Sequence, residues 1–398
     1  MSTATVALAD RYKVLDADSH IIEPPDLWSS KLSARYGSAV PHVVFDAESN
    51  EERWVVNDYM TFGAGAFAMA GWPEYYPSRP MRFEQVDPAH YSGVDRLKKM
   101  DEYGIHYQVL YSNVLGFQGG LLVEMAEPRL ALDCVRVYND WLIEFAEADS
   151  QRLIPIAMVP FWDLDEAIIE MRRAVDIGHR GVAFASNLAP AGLPKLSSDH
   201  WDPLFRAATD LGISVNFHSS FMTPAKQTDA ILKNAQGFDK LNFVLESSMA
   251  QLGGMRTAAE LALGVCHRHP DLQFVIVESG AGWLPALAEN LDWQWMSSGC
   301  ADDMPERAMP SEHLHNQVKC MYWYEQRALR MAAEDWSTSL LYETDFPHPT
   351  SMSPGPASFA QNPRDVMESS LAGLSEQKQR DILIGNAASL YGITDTDR

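Results

Sequence analysis

Four side chains in this 398-residue sequence are of the kind that holds a divalent cation, and each closes a short apolar run: Asp18 and His20 in VLDADSH, His218 in VNFHSS and Asp345 in YETDFPHP. Two carboxylates and two imidazoles form an oxygen and nitrogen donor set with two negative charges. Buried together, such carboxylates are costly unless a cation neutralises them. One bound metal ion is therefore expected, able to orient and polarise a substrate oxygen or to activate water.

Position separates these four from other histidine pairs. Asp18 and His20 are two residues apart on one run, so strand alternation points both the same way. The pairs His267/His269 and His313/His315 instead fall after a helix and before a strand, and they read as a helix cap and a surface loop. The motif Glu23-Pro24-Pro25-Asp26 reads as a turn opening a helix.

The elements that must carry these residues follow a βα rhythm. Eight apolar runs rich in β-branched and aromatic residues predict strands at 14–18, 107–112, 153–160, 181–186, 213–219, 272–279, 318–325 and 339–345. Their continuous hydrophobicity suits parallel strands buried on both faces. Helical periods fit between them: DLDEAIIEMRRAVDIG is opened by Asp163 and ended by Gly178, and WDPLFRAATDLG is opened by Asp202-Pro203 and ended by Gly212. Further helices are predicted at 249–267, 283–295, 362–373 and 375–391. With no linker-like break, the expected fold class is α/β, a single (β/α)8 TIM barrel spanning 1–398, whose reactive groups belong at the C-terminal strand ends. Residues 29–92, with aromatics, Gly and Pro but no sustained period, form a long insertion after strand 1, expected as a lid or interface segment with a possible strand at 53–56.

Composition narrows the function. Thirty-one Lys and Arg against 54 Asp and Glu give a net charge of −23, which argues against nucleic acid and anionic membranes as partners. No basic start followed by an apolar run opens the sequence, and no stretch is long and apolar enough to span a bilayer, so the expected location is the cytoplasm. The four cysteines (Cys134, Cys266, Cys300, Cys320) have no paired spacing and read as packing residues. Phosphate-cradling glycine motifs and a serine nucleophile elbow are absent.

VLDADSHIIEPPDLW, the stretch from His269 to Pro285, TDFPHP (Thr344 to Pro349) and ILIGNAASLYGI (Ile382 to Ile393) together resemble the amidohydrolase superfamily, in the branch of aminocarboxymuconate semialdehyde decarboxylase and related aromatic-acid decarboxylases. The resemblance covers nearly the whole chain outside 29–92. It implies a barrel with metal at its mouth and, by position, Asp18, His20, His218 and Asp345 as ligands. Asp18 stands where the family usually has His, a change that favours harder ions such as Mn²⁺ or Mg²⁺ while leaving Zn²⁺ and Fe²⁺ open. The fourth strand offers no Lys for carbamylation, so one ion is expected. On the sixth strand, where many of these decarboxylases have His, Glu278 stands; it takes the acid/base role if desolvation raises its pKa, and otherwise orients a ligand or caps the turn at Gly280. His348 is either a turn residue or a substrate contact, and Glu325, ending the seventh run, is a second candidate substrate contact.

Two reactions follow. In the first, a small aromatic or unsaturated carboxylic acid is decarboxylated, with Asp345 delivering the proton and His218 holding the ion. In the second, metal-activated water hydrolyses an amide, lactone or C–C bond, with Asp345 or Glu278 as base. A non-catalytic binding protein is a third reading, weakened by the complete ligand set. The expected partners are a small-molecule substrate and a second copy of the chain, since aromatics in 29–92 and in DWQWM suggest a homodimer.

Overall fold

Four-residue runs such as FVIV have no polar face to offer water, so they are stable only when covered on both sides. The computed structural model, which describes residues 6–125, 127–186, 188–218 and 240–396, uses them in that way. Strands β1 (Leu15–His20), β5 (Tyr107–Tyr111), β6 (Leu153–Pro155), β7 (Ala157–Met158), β8 (Gly181–Ala183), β9 (Ser214–His218), β10 (Phe274–Val277), β11 (Val318–Tyr322) and β12 (Leu340–Tyr342) are parallel and almost wholly buried. Strands β2 (His42–Asp46), β3 (Glu51–Val56) and β4 (Tyr59–Gly63) belong to the insertion between β1 and β5.

The parallel strands form two arcs, β1-β5-β6 and β7-β8-β9-β10-β11-β12. Ile156 alone separates β6 from β7, and its N–H donates to Leu110 O at 3.2 Å. At the other junction Asp345 N–H donates to Asp18 O (3.1 Å) and His20 N–H to Phe346 O (2.6 Å). Backbone bonds thus tie the loop after β12 directly to β1.

Helices lie between the parallel strands except at the β6–β7 step, and their ends follow the expected capping chemistry. The Asp163 carboxylate accepts Glu166 N–H at 3.1 Å to open Leu164–Ile177, which Gly178 (φ +122°) ends. Asp202–Leu211 ends at Gly212 in the left-handed region, the conformation that glycine adopts most cheaply. The strands are shorter than the apolar runs: β11 stops at Tyr322 and β12 at Tyr342, so Glu325 and Asp345 both lie three residues beyond their strands. The C-terminal segment expected as one helix over 375–391 consists of Glu376–Arg380, a π-helical turn at Asp381–Gly385, and Asn386–Tyr391.

The insertion is more regular than its sequence suggested. β2 (His42–Asp46), β3 (Glu51–Val56) and β4 (Tyr59–Gly63) make an antiparallel meander, with RWVV inside β3. Asn57 and Asp58, at φ +50° and +61°, form the two-residue hairpin loop that matches strand twist, and both residue types tolerate that conformation. No residue of β2 and only part of β3 and β4 is buried, which erased a clean apolar alternation. The segment that follows lies on the loop after β12: the N–H groups of Met69 and Ala70 donate to Pro347 O at 2.9 and 3.0 Å. Among the described residues no helix is long and apolar enough to cross a membrane.

Candidate metal centre

Asp18, His20 and His218 end their strands and are buried, at 2 % exposure or less. Asp345 and Glu278 follow β12 and β10 in the left-handed region, at φ +56° and +50°, which non-glycine residues seldom adopt. Tertiary hydrogen bonds hold both turns: Asp345 N–H to Asp18 O, and Glu278 N–H to Glu343 Oε2 at 3.3 Å.

The side chains converge. His20 Nε2 lies 2.9 Å from His218 Nε2. The two Asp18 oxygens each lie 3.6 Å from one of those nitrogens, and Asp345 Oδ1 is 3.8 Å from His20 Nε2. His20 Nδ1 faces Ser112 O at 3.2 Å; as the donor of that bond it leaves its Nε2 lone pair directed at the cluster. Neither Asp18 oxygen accepts a hydrogen bond. A buried carboxylate lacking donors, beside two imidazole nitrogens, is a donor set that fits a divalent cation. The potential ligand atoms form two overlapping groups, Asp18/His20/His218 and His20/Asp345/His348.

The electrostatics agree. Burial, then repulsion from Asp18, pushes the Asp345 carboxyl well above the ordinary carboxylate range. Burial and the neighbouring His348 and His218 hold His20 well below 6.5, hence neutral and able to ligate. Burial and then Asp345 raise Glu278 to about 7. Its carboxylate stands 3.5 Å from His218 Nδ1 and remains 19 % exposed, so solvent or substrate reaches it.

His348 is the residue whose position sequence reasoning left open. It is no bland turn residue: its ring stacks on His20 (centroids 3.8 Å apart), and its Nδ1 is 2.8 Å from Asp345 Oδ1. Asn113 Nδ2 donates to Ile21 O (3.0 Å), which turns Asn113 Oδ1 toward His348 Nε2 at 2.8 Å. His348 therefore carries its proton on Nε2 and offers Nδ1 to Asp345. His348 also lines a cavity of about 250 Å³ walled by Trp72, Tyr75, Tyr76 and Phe243.

Glu325 is not brought to this cluster. Its Oε1 accepts the N–H groups of Ala281 (2.8 Å) and Gly282 (3.3 Å), and Oε2 accepts that of Trp323. Glu325 thus caps the turn after β10, the role considered for Glu278, because β11 ends early and swings it sideways. The expected surface loop at His313/His315 is instead helix Pro310–Gln317. His269 pairs with Asp202 (2.9 Å), away from the cluster.

Sequence reasoning missed three buried groups beneath the site. Glu343 is fully buried, two residues before Asp345; strand alternation was the available signal. Asp16 accepts Thr344 N–H (2.8 Å), Thr344 Oγ1 (2.6 Å) and Gln108 Nε2 (2.8 Å). Arg96 donates to His20 O (2.6 Å), Ala89 O (2.7 Å) and Gln108 Oε1 (3.1 Å). These bonds fasten β1 and the loop after β12 into one frame. Glu23 does more than turn the chain: its Oε1 accepts Ser112 Oγ and the N–H groups of Asn113 and Val114, opening helix Val114–Val123.

Residues 86–393, well over half of the chain, match the family model described as amidohydrolase. No curated protein matches the chain. Among solved structures, an amidohydrolase from Mycobacterium avium subsp. paratuberculosis is 22 % identical, with TM-score 0.74 over 96 % of this chain and 99 % of that one. 5-Carboxyvanillate decarboxylase from Novosphingobium aromaticivorans, solved with manganese and 3-methoxy-4-hydroxy-5-nitrobenzoic acid, is 16 % identical, with TM-score 0.64 over 96 % and 97 %. 2,6-Dihydroxybenzoate decarboxylase from Rhizobium is 16 % identical, with TM-score 0.60 over 96 % and 98 %. At these identities the likeness is one of fold, and the family match carries the assignment: this chain belongs to the amidohydrolase family.

Proposed function

We propose that this protein decarboxylates a small aromatic carboxylic acid with one divalent metal ion held by Asp18, His20, His218 and Asp345. The observation that carries this reading is the adjacency of the donor cluster to an aromatic-walled cavity, with His348 common to both. The two strand arcs then constitute one closed (β/α)8 barrel, 1–398 acts as a single unit, and residues 67–76 of the insertion cover its mouth. Fold likeness to aromatic-acid decarboxylases supports the reaction, and the manganese in one of them, together with Asp18 as a hard oxygen donor, supports Mn²⁺.

Bound at these residues, a divalent cation supplies Lewis acidity toward a substrate oxygen. The protein's own groups supply position and a proton. Asn113 orients His348, and His348 Nδ1 faces Asp345 Oδ1 at 2.8 Å, so this pair holds a proton beside the cavity. Asp345 delivers that proton to the ring carbon as CO₂ departs, His348 Nδ1 having held it in place as its acceptor, and solvent restores it once the product leaves. Trp72, Tyr75, Tyr76 and Phe243 offer aromatic faces against which the substrate ring stacks.

One observation favours hydrolysis as the second reading: Glu278, raised to about 7 beside His218, is suited to accept a proton from water near neutral pH. Metal-loaded protein is to be given a panel of aromatic acids, esters and amides in H₂¹⁸O. Release of CO₂ with no ¹⁸O in the aromatic product is expected, and Asp345→Asn should abolish it. Solvent oxygen in the product, with no CO₂ from any acid, would establish hydrolysis instead. Exposed Trp293 (71 %) and Met296 (65 %) on helix Leu284–Ser297 support a homodimer, to be read by light scattering.

A further inference from the structure

We propose that Lys240 selects aromatic acids bearing a second anionic group, above all a second carboxylate, for the cavity beside the metal cluster. The inference deepens the decarboxylase reading and rests on it for the reaction, though not for the binding. The cavity, about 250 Å³, lies below the usual range of ligand pockets and suits a single substituted ring. Its aromatic wall includes Phe243, on the first turn of helix Lys240–Gly264, packed against Tyr76 with centroids 4.9 Å apart. That same first turn places Lys240 in the lining.

Among the described residues that line the cavity, Lys240 is the one permanently charged side chain and none is a carboxylate. This runs against the chain's general character, which has 54 acidic residues against 31 basic ones. Among the described residues no carboxylate lies within ion-pair distance of Lys240, and its place in the lining makes it a cationic group that an entering anion meets. A monocarboxylate has its one charge at the metal cluster. A dicarboxylate retains a second charge, for which Lys240 is the cationic partner among the described lining residues, the others being neutral. Serine hydroxyls at Ser351 and Ser358 in the same lining offer further donors to that second group.

The test uses the metal-loaded full chain and three probes, benzoate, isophthalate and terephthalate, with the monomethyl ester of isophthalate as a charge-matched control. Calorimetric binding is compared for wild type, Lys240→Met and Lys240→Arg. Since the ion pair is partly exposed, loss of the charge should weaken one or both dicarboxylates about fivefold. Benzoate and the monoester should be unchanged, Lys240→Arg should retain the preference, and high salt should shrink it. Equal effects on mono- and dicarboxylates, or none on either, would overturn the proposal. CO₂ release is measured in parallel. A Lys240-dependent dicarboxylate preference without CO₂ from any acid refutes the decarboxylase reading alone; CO₂ release with no Lys240 dependence refutes the selectivity alone.

Discussion

Replacing Asp18 by Asn should change the stability of the protein in opposite directions with and without metal. Asp18 is fully buried, neither oxygen accepts a hydrogen bond, and its charge helps hold Asp345 above the carboxylate range. In metal-free protein, Asp18→Asn removes an uncompensated buried charge and relieves that repulsion, so the melting temperature should hold or rise. With metal the expectation reverses. A ligand present at 100 times its Kd stabilises by about 2.7 kcal/mol, and at roughly 2 °C per kcal/mol for a chain of this size the shift is about 5 °C. A hundredfold loss of affinity on removing a charged ligand leaves RT ln 2, about 0.4 kcal/mol, or about 1 °C. Differential scanning fluorimetry in chelator and across a Mn²⁺ titration reads both quantities. Should Asp18→Asn lower the metal-free melting temperature and keep the full metal-dependent shift, Asp18 would be a structural carboxylate, and the argument from its orphaned oxygens would fail.

Three further outcomes are expected. His348→Gln should reduce kcat by 10² or more at unchanged metal content, and Asn113→Leu by less, because the latter only frees the ring that Asn113 Oδ1 orients; steady-state kinetics with elemental analysis separate the two. Burial raises the Glu23 carboxyl to about 7 in the folded protein, against 4.5 when exposed. Between those values the folded state keeps a proton that the unfolded chain has lost, so stability falls as pH rises through this window, by on the order of 3 kcal/mol. Glu23→Gln should flatten that decline in urea unfolding at pH 5 and pH 8, and an unchanged decline would exclude Glu23 as its source. Arg96→Met orphans two carbonyls and Gln108 Oε1 beneath β1, and should cost about 3 to 5 kcal/mol by chemical denaturation; a loss under 1 kcal/mol would show that the frame holds without it.

Glu278 and Glu325 show where local reasoning stopped. Both are polar residues just beyond apolar runs, and the residue type cannot tell which one caps a turn. The choice depended on β11 ending at Tyr322, which brings Glu325 within 2.8 Å of Ala281 N and leaves the Glu278 carboxylate beside His218. The meander in 42–63 was obscure for a related reason, since strands buried only in part carry a blurred period.

From sequence alone came the candidates and their rim: strand periodicity put Asp18 and His20 on one face, and the βα rhythm placed His218 and Asp345 near the same ends of distant strands. These are local properties, set by the two-residue repeat of a strand and the chemistry of helix caps. Tertiary structure alone brought His218 Nε2 to 2.9 Å from a ring 198 positions away, turned Asp345 inward through a left-handed backbone, and stacked His348 on His20. Such contacts depend on where each strand stops and how the arcs meet, and the packing of the whole chain decides that.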